Sequence, residues 1–326
     1  MSGVASWLGA EKHADKRPFL LARAKALSAV RAWFTAQGFV ETDLGALVPV
    51  PGAETHIEAF AAGNGYLHTS PEFAMKSLLA AGERKIFRLG HAYRKGERSD
   101  LHAPEFTMLE WYRAEAPYEQ VMDDCMAIAR AAGEAIGASH LQFRGASIEL
   151  KAPAQKLSVA DAFQRFAAID VRDERIAAFA NANVKPNGDD TWSDLFSRVL
   201  VEKVEPALDK NAMTILYEYP IPEAALAKPC AHDPRVAERF ELYACGVELA
   251  NGYGELTDAE EQRRRFTAAM DEKEKRYGER WPLPETFLEA LAHMPPASGC
   301  AMGFDRLVML LTGARRIDDV LWSAAP

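Results

Sequence analysis

The stretch KIFRLGHAYRKGERSDLHAPEFTMLEWYR, residues 85–113, decides the fold. Two runs with alternating apolar residues, Lys85 to Tyr93 and Phe106 to Arg113, flank a charged segment, Arg94 to Glu105. A period of two is strand geometry, and two strands around such a loop predict a long antiparallel hairpin. Alternation puts Arg88, Gly90, Ala92 and Arg94 on one face of the first strand. It puts Phe106, Met108, Glu110 and Tyr112 on one face of the second. An arginine, an aromatic ring and a carboxylate then converge on one sheet surface, beside a loop carrying Lys95, Glu97, Arg98, Asp100 and His102. A guanidinium fork suits a phosphate, and an aromatic face suits a nucleobase. On pattern alone, a solvated charged hairpin is the plainer reading.

Outward from the hairpin, Glu72 to Ala81 reads as a helix, with Pro71 suited to its first turn. Residues 44–56, with Pro49, Pro51 and Gly52, read as a loop. Leu20, Leu27, Val30 and Phe34 recur at helical spacing and predict a helix from Phe19 to about Gln37, closed by Gly38. Beyond the hairpin, helices are expected at about 118–137 and 158–180. Six prolines interrupt 181–235 (Pro186, Pro206, Pro220, Pro222, Pro229, Pro234), which reads as an excursion rather than a linker. Phe240 to Ala250 predicts strands with a turn near Cys245-Gly246, and Thr257 to Gly278 a charged helix. Ser298 to Phe304 predicts a glycine-rich strand, and Asp305 to Thr312 a helix stopped by Gly313. Strands with helices packed around them predict an α+β fold, a largely antiparallel sheet flanked by helices. Residues 1–16 read as a lead-in and 17–326 as a single domain.

Two further clusters carry chemistry. Glu248-Leu249-Ala250-Asn251-Gly252-Tyr253-Gly254-Glu255 places two carboxylates and an amide in a glycine-punctuated segment. Such oxygens suit Mg²⁺ or an ammonium group, and a polar turn is the alternative. In Ser298-Gly299-Cys300-Ala301-Met302-Gly303-Phe304-Asp305-Arg306, small residues let a ligand approach the backbone. Arg306 then sits in the first turn of a helix, where a cation opposes the macrodipole unless an anion or a carboxylate such as Asp305 joins it.

Composition sets the outer limits. The 326 residues are 48% apolar and 26% charged, which excludes a disordered chain, a collagen repeat and a disulfide scaffold. A net charge of −9 gives no chain-wide footprint for nucleic acid, though a local basic patch stays open. The four cysteines (125, 230, 245, 300) form no CxxC pair, read as buried free thiols, and suggest a reducing compartment. Lys12, His13, Asp15 and Lys16 stand where a signal peptide needs an apolar core, and no apolar run approaches a span of roughly 18 residues, so no membrane and a cytoplasmic location are expected.

Taken in order, the clusters resemble the catalytic core of a class II aminoacyl-tRNA synthetase of the lysyl type. Phe87 to Arg113 is similar to its motif 2, and Gly299 to Leu310 to its motif 3. Ala237 to Glu241, continuing through Asn251-Gly252 to Glu260, resembles the lysine-specific segment between them. The helix from Phe19 and the following loop occupy the place of motif 1. The resemblance runs from about residue 17 to the end and leaves no room for an anticodon-binding domain. A freestanding core of this kind is similar to the ligase family that attaches (R)-β-lysine to a lysine of elongation factor P. Ala301 agrees: lysyl-tRNA synthetases usually carry glycine there, and the ligases alanine. Three positions depart from the wider pattern. Leu44-Gly45 stands where motif 1 usually has proline; Arg94-Lys95-Gly96, with Glu97 one place later, replaces Arg-Asn-Glu; and Ala103 replaces the asparagine after the loop histidine.

The resemblance implies ATP and Mg²⁺, and a two-step reaction through an aminoacyl-adenylate. Arg94, Arg306 and Glu248 would be catalytic. Lys95, Gly96, His102, Ala103, Phe106, Leu249 and Gly303 would join them around ATP, with Phe106 under the adenine. Ser70, Pro71, Glu72, Tyr112, Asn251, Glu255 and Ala301 would bind the amino acid, (R)-β-lysine or lysine. Glu248 and Glu255 would hold the metal, Glu255 serving an ammonium, a metal or both. Elongation factor P is the implied protein acceptor, a homodimer the implied assembly, and tRNA is not expected as a partner. The alternatives are acylation of tRNA or of a small amine, and a non-catalytic ligand-binding paralogue, which would have no need to keep Arg94, Glu248, Glu255 and Arg306 together.

Overall fold

The computed structural model describes residues 10–182, 184, 187–188 and 190–323. Residues 1–9 of the expected lead-in, and Pro186, lie outside the described residues. In chain order the elements begin with α1 (Ala10–Ala36), β1 (Val40–Glu41), β2 (Leu47–Val48), β3 (Ala61–Ala62), β4 (Gly65–Leu67) and α2 (Glu72–Ala80). Then come β5 (Lys85–Tyr93), β6 (Glu105–Ala114), α3 (Tyr118–Ile136), β7 (His140–Phe143), β8 (Ala146–Glu149), β9 (Gln155–Ser158) and α4 (Val159–Ala167). The chain continues through α5 (Trp192–Val199), β10 (Thr214–Pro220), β11 (Val236–Ala244), β12 (Val247–Gly254), α6 (Ala259–Tyr277), α7 (Glu285–Leu291), β13 (Ala297–Gly303) and α8 (Phe304–Thr312).

Eight strands form one sheet in the order β1-β5-β6-β13-β12-β11-β10-β9. Every inner pairing is antiparallel, and the two outermost, β1 with β5 and β9 with β10, are parallel. The expected α+β architecture therefore holds. β11 and β12 turn at Cys245 and Gly246, both at positive φ (54° and 75°), a geometry that glycine tolerates at the second position.

One face of the sheet carries the main core. α1, α3 and α8 pack Val30, Phe34, Cys125, Ile128, Leu307 and Val308 against Phe87, Leu109, Trp111 and Met302, all buried. Phe34 stacks on Phe87 with ring centroids 4.4 Å apart. Each large side chain buried this way contributes about 1.5–3 kcal/mol. The opposite face is left for the cavity described below.

The structure departs from expectation at three places. α1 starts at Ala10 rather than Phe19, with Pro18 inside it. The helix expected over 158–180 ends at Ala167, because Ala168 turns left-handed (φ 56°). Ile169 and Val171 are then buried in a second core with Phe163 and Phe196. Within 181–235 the chain builds α5, capped by Thr191 with Asp194, and the strand β10.

Candidate active site

Register aligns the site residues into rungs that cross the sheet. Arg88 lies opposite Glu110, Glu110 opposite Ala301, Ala301 opposite Asn251, and Asn251 opposite Glu241. The neighbouring rung runs Tyr112, Gly299, Tyr253, Arg239. Directly opposed residues project from the same face, so the alternation expected of the hairpin extends over five strands. A bulge corrects one side chain. Leu242 pairs with Ala250 but Tyr243 with Glu248, so Leu249 is skipped and Glu248 joins the face of Asn251 and Tyr253.

Along this face β13 presents Gly299, Ala301 and Gly303, and the missing side chains leave space. A Cβ at Gly299 would lie 2.2 Å from the Tyr112 ring, so only glycine fits beneath that tyrosine. The result is a cavity of about 370 Å³ with Arg94, Phe106, Glu248 and Arg306 toward one end and Ser70, Glu72, Glu110 and Tyr112 toward the other.

The first end gathers cations. The Arg94 guanidinium sits over the Phe106 ring at 5.3 Å, and its buried Nε has no hydrogen-bond partner. Arg306 donates to the backbone carbonyls of Leu101 (3.2 Å) and Glu248 (2.8 Å) and to His102 Nε2 (2.6 Å). A guanidinium only donates, so His102 Nε2 accepts and the imidazole proton resides on Nδ1, facing Ser99 Oγ at 2.8 Å. Burial and the Arg306 charge hold His102 below the usual histidine range, which keeps that tautomer neutral. The carboxylate expected as a partner for Arg306 goes elsewhere. Asp305 is buried, accepts from the Thr107 amide at 2.7 Å and pairs with Arg23 of α1. Arg23 also donates to Thr107 Oγ1 at 2.6 Å, which ties α1, β6 and α8 together under the cation end.

Carboxylates dominate the other end. Ser70 Oγ and Tyr112 Oη each donate to Glu110 at 2.7 Å. Burial, with Glu72 nearby, pushes Glu110 up to about 7. The Tyr112 phenol is raised well above its usual range by burial and Glu110, so it stays a donor. Lys76 is 1% exposed and bridges Glu72 (2.6 Å) and Glu255 (2.5 Å). On β11, Glu241 accepts from the hydroxyls of Tyr219 and Tyr243 at 2.6 Å and from Arg239 at 2.7 Å. Glu248, at the cation end, is pushed up to about 7 by burial and by Glu241 against the pull of Arg306 and Arg94.

Most expected site residues meet here: Arg94, His102, Ala103, Phe106, Glu248, Leu249, Gly303 and Arg306, with Ser70, Glu72, Tyr112, Asn251 and Ala301, all line the cavity. Four do not. Lys95 is exposed and faces Glu58 at 3.5 Å, and Gly96 supplies a positive φ (79°) in the loop. Pro71 opens α2. Glu255 is 1% exposed and paired with Lys76; its carboxylate lies on the same face as Tyr112, 2.9 Å from where a Cβ at Gly299 would stand, but outside the lining. The structure adds Glu54, Arg239 and Tyr253 to the wall. Arg239 and Tyr253 belong to a rung that the Gly299 register alone could have marked; Glu54 comes from a Pro/Gly loop without a period to read.

Comparison with known proteins places this geometry. A model of the family "tRNA synthetases class II (D, K and N)" matches residues 6–323. Curated relatives named elongation factor P–(R)-β-lysine ligase include one from Edwardsiella ictaluri, 36% identical over 98% of both chains. Others are from Salmonella arizonae (35%, 98% of both) and Haemophilus influenzae strain PittGG (35%, 93% of both). The chain belongs to the class II tRNA synthetase family of the D, K and N type, and is a ligase of that family.

Proposed function

We propose that this chain activates (R)-β-lysine, or lysine, with ATP and transfers it to a lysine side chain of elongation factor P. One observation carries the reading: a single cavity sets an arginine-and-aromatic end against a carboxylate end, both on one sheet face. ATP needs cations and a stacking surface, and a diamino acid needs carboxylates for its amines. In the first step a carboxylate oxygen of the amino acid attacks the α-phosphorus, and pyrophosphate leaves. In the second, the acceptor's ε-amine attacks the acyl carbon, an amide forms and AMP leaves with the bonding pair.

The chain supplies positioning and charge rather than a nucleophile. Arg94, with its unpartnered Nε, grips the α-phosphate; Arg306 takes the γ-phosphate. Phe106 stacks under the adenine, and the backbone at Leu249, Ala103 and Gly303 lies open to the nucleotide. Lys95 and Gly96 complete the loop over the phosphates, with His102 orienting Arg306. Ser70-Pro71-Glu72, Tyr112, Asn251 and the buried Lys76–Glu255 pair shape the amine pocket. Mg²⁺ fits at Glu248, a carboxylate raised by its surroundings beside the phosphate-binding arginines, and Glu255 contributes through its buried pairing with Lys76 beside Tyr112. When bound, the ion would neutralise phosphate charge. Ala301 stands in the middle of the floor, where its methyl shortens the pocket relative to glycine. A homodimer is part of the proposal, supported by exposed Val40 and Leu47 in the region resembling motif 1.

The test is mass spectrometry of elongation factor P incubated with this chain, ATP and each lysine isomer, together with ATP–pyrophosphate exchange. A mass increase of one lysyl unit with (R)-β-lysine is expected. Exchange with no lysine isomer would refute the enzymatic reading. Charging of lysine tRNA with unmodified elongation factor P would replace the acceptor.

A further inference from the structure

We propose that Glu218, Cys230 and His232 form a binding site for a zinc-class divalent cation, outside the catalytic cavity. Among the described residues, this is the one group of three histidine, cysteine or acidic side chains whose ligand atoms all lie within 4.8 Å of one another. His232 Nε2 is already 3.2 Å from Glu218 Oε1. A tetrahedral Zn²⁺ spaces its ligand atoms roughly 3.3–3.8 Å apart, so modest side-chain rotation closes the set. The donors are one sulfur, one imidazole nitrogen and one carboxylate oxygen, the combination that borderline-soft cations prefer over hard ones such as Mg²⁺.

The backbone holds the donors in place. Glu218 has a positive φ (60°) at the step where Tyr217 faces Phe240 but Tyr219 faces Ala237. Cys230 is 3% exposed, its amide donates to the Val236 carbonyl at 2.8 Å, and Pro229 bridges to Ala237. No disulfide competes for the sulfur, since all four cysteines are free. Burial, and then the carboxylates of Glu218, Glu238 and Asp233, push the Cys230 thiol up, a balance that a divalent ion on the sulfur would offset. His232 reaches from the solvent side, two-thirds exposed, which leaves the fourth position to water. The ion would clip β10 to the strap preceding β11, and that strap pairs Ala227 with Glu255, the carboxylate joined to Lys76.

The experiment uses the full chain, stripped with chelator and titrated with Co²⁺ as a spectroscopic stand-in. One equivalent should bind, giving tetrahedral visible bands and a near-ultraviolet thiolate-to-cobalt charge-transfer band, both erased by added Zn²⁺. Cys230→Ser should abolish the charge-transfer band. His232→Ala, an exposed change that leaves the fold standing, should weaken Co²⁺ binding at least tenfold. Absence of the band in the parent chain, its survival in Cys230→Ser, or unchanged affinity in His232→Ala would overturn the site.

Discussion

The two ends of the cavity are prepared in opposite ways. At the cation end the arginines make their close contacts to neutral groups, Arg306 to two carbonyls and a neutral imidazole and Arg94 to the Phe106 ring, while a carboxylate stands off at 3.8 Å from each, Glu248 from Arg306 and Glu97 from Arg94. Their charge is only loosely offset, so much of it is available to an incoming anion. At the carboxylate end Glu72 and Glu255 share the Lys76 ammonium, and Glu110 is held by two hydroxyls while burial raises its proton affinity. Charge there is stored as an ion pair or as a proton, to be exchanged for the substrate's ammonium. A positive pocket can stay open in the empty protein because guanidinium is weakly hydrated and stacks well. Buried carboxylates cannot stay bare, because an unpaired charge in that place is costly.

This contrast can be broken from either side. The largest effect is expected from Lys76→Met, which leaves two carboxylates around an uncompensated site. A loss of about 3–5 kcal/mol should appear in urea unfolding; a loss under 1 kcal/mol would mean that the carboxylates need no internal cation. Next, Arg306→Ala should lower ATP–pyrophosphate exchange about 10²–10³-fold, as for removal of a preorganised charge donor, with unchanged circular dichroism. Near-normal exchange would remove Arg306 from phosphate binding. Glu110→Gln keeps the shape and removes the charge, so KM for the amino acid should rise about tenfold, roughly 1.4 kcal/mol, with KM for ATP little changed.

Proton storage also gives a signed pH dependence. Glu110 and Glu248 are raised to about 7 from an ordinary 4.5, while Glu255 stays ionised against Lys76. Between those values the folded chain holds protons that the unfolded chain has released. Stability of the empty protein should therefore fall as pH rises from about 5 to 8, while affinity for the diamino acid improves over the upper half of that range. Melting temperatures across this window check the first part, and Glu110→Gln should flatten the curve. The smallest effect is expected at Ala301→Gly, a severalfold shift of the exchange-rate ratio toward α-lysine. An unchanged ratio would take Ala301 out of the selectivity.

How much of this was legible in the sequence follows from what held each segment. β5 and α2 obey a local period, and the reading placed them within a residue of Lys85–Tyr93 and Glu72–Ala80. The hairpin face, with Arg94 and Phe106, followed from the same alternation, and Arg306 from its place in the first turn of a helix. β10 was hidden because prolines flank it and its partners, β9 and β11, come from elsewhere in the chain. Glu248 reaches the site face only through a bulge, which alternation does not reveal. Lys76 and Glu255 were separated by most of the catalytic core in sequence, so their pairing needed the fold.

Gly299, Ala301 and Gly303 turn β13 into a measuring gauge. Its graduations are methyl groups, absent at Gly299 and Gly303 and present at Ala301, and a ligand's length is read against them. Such a gauge can be recalibrated one carbon at a time, while the arginines, anchored on other strands and on α8, stay where they are. Closely related diamino acids are then separable by a substitution too small to disturb the folding of the sheet.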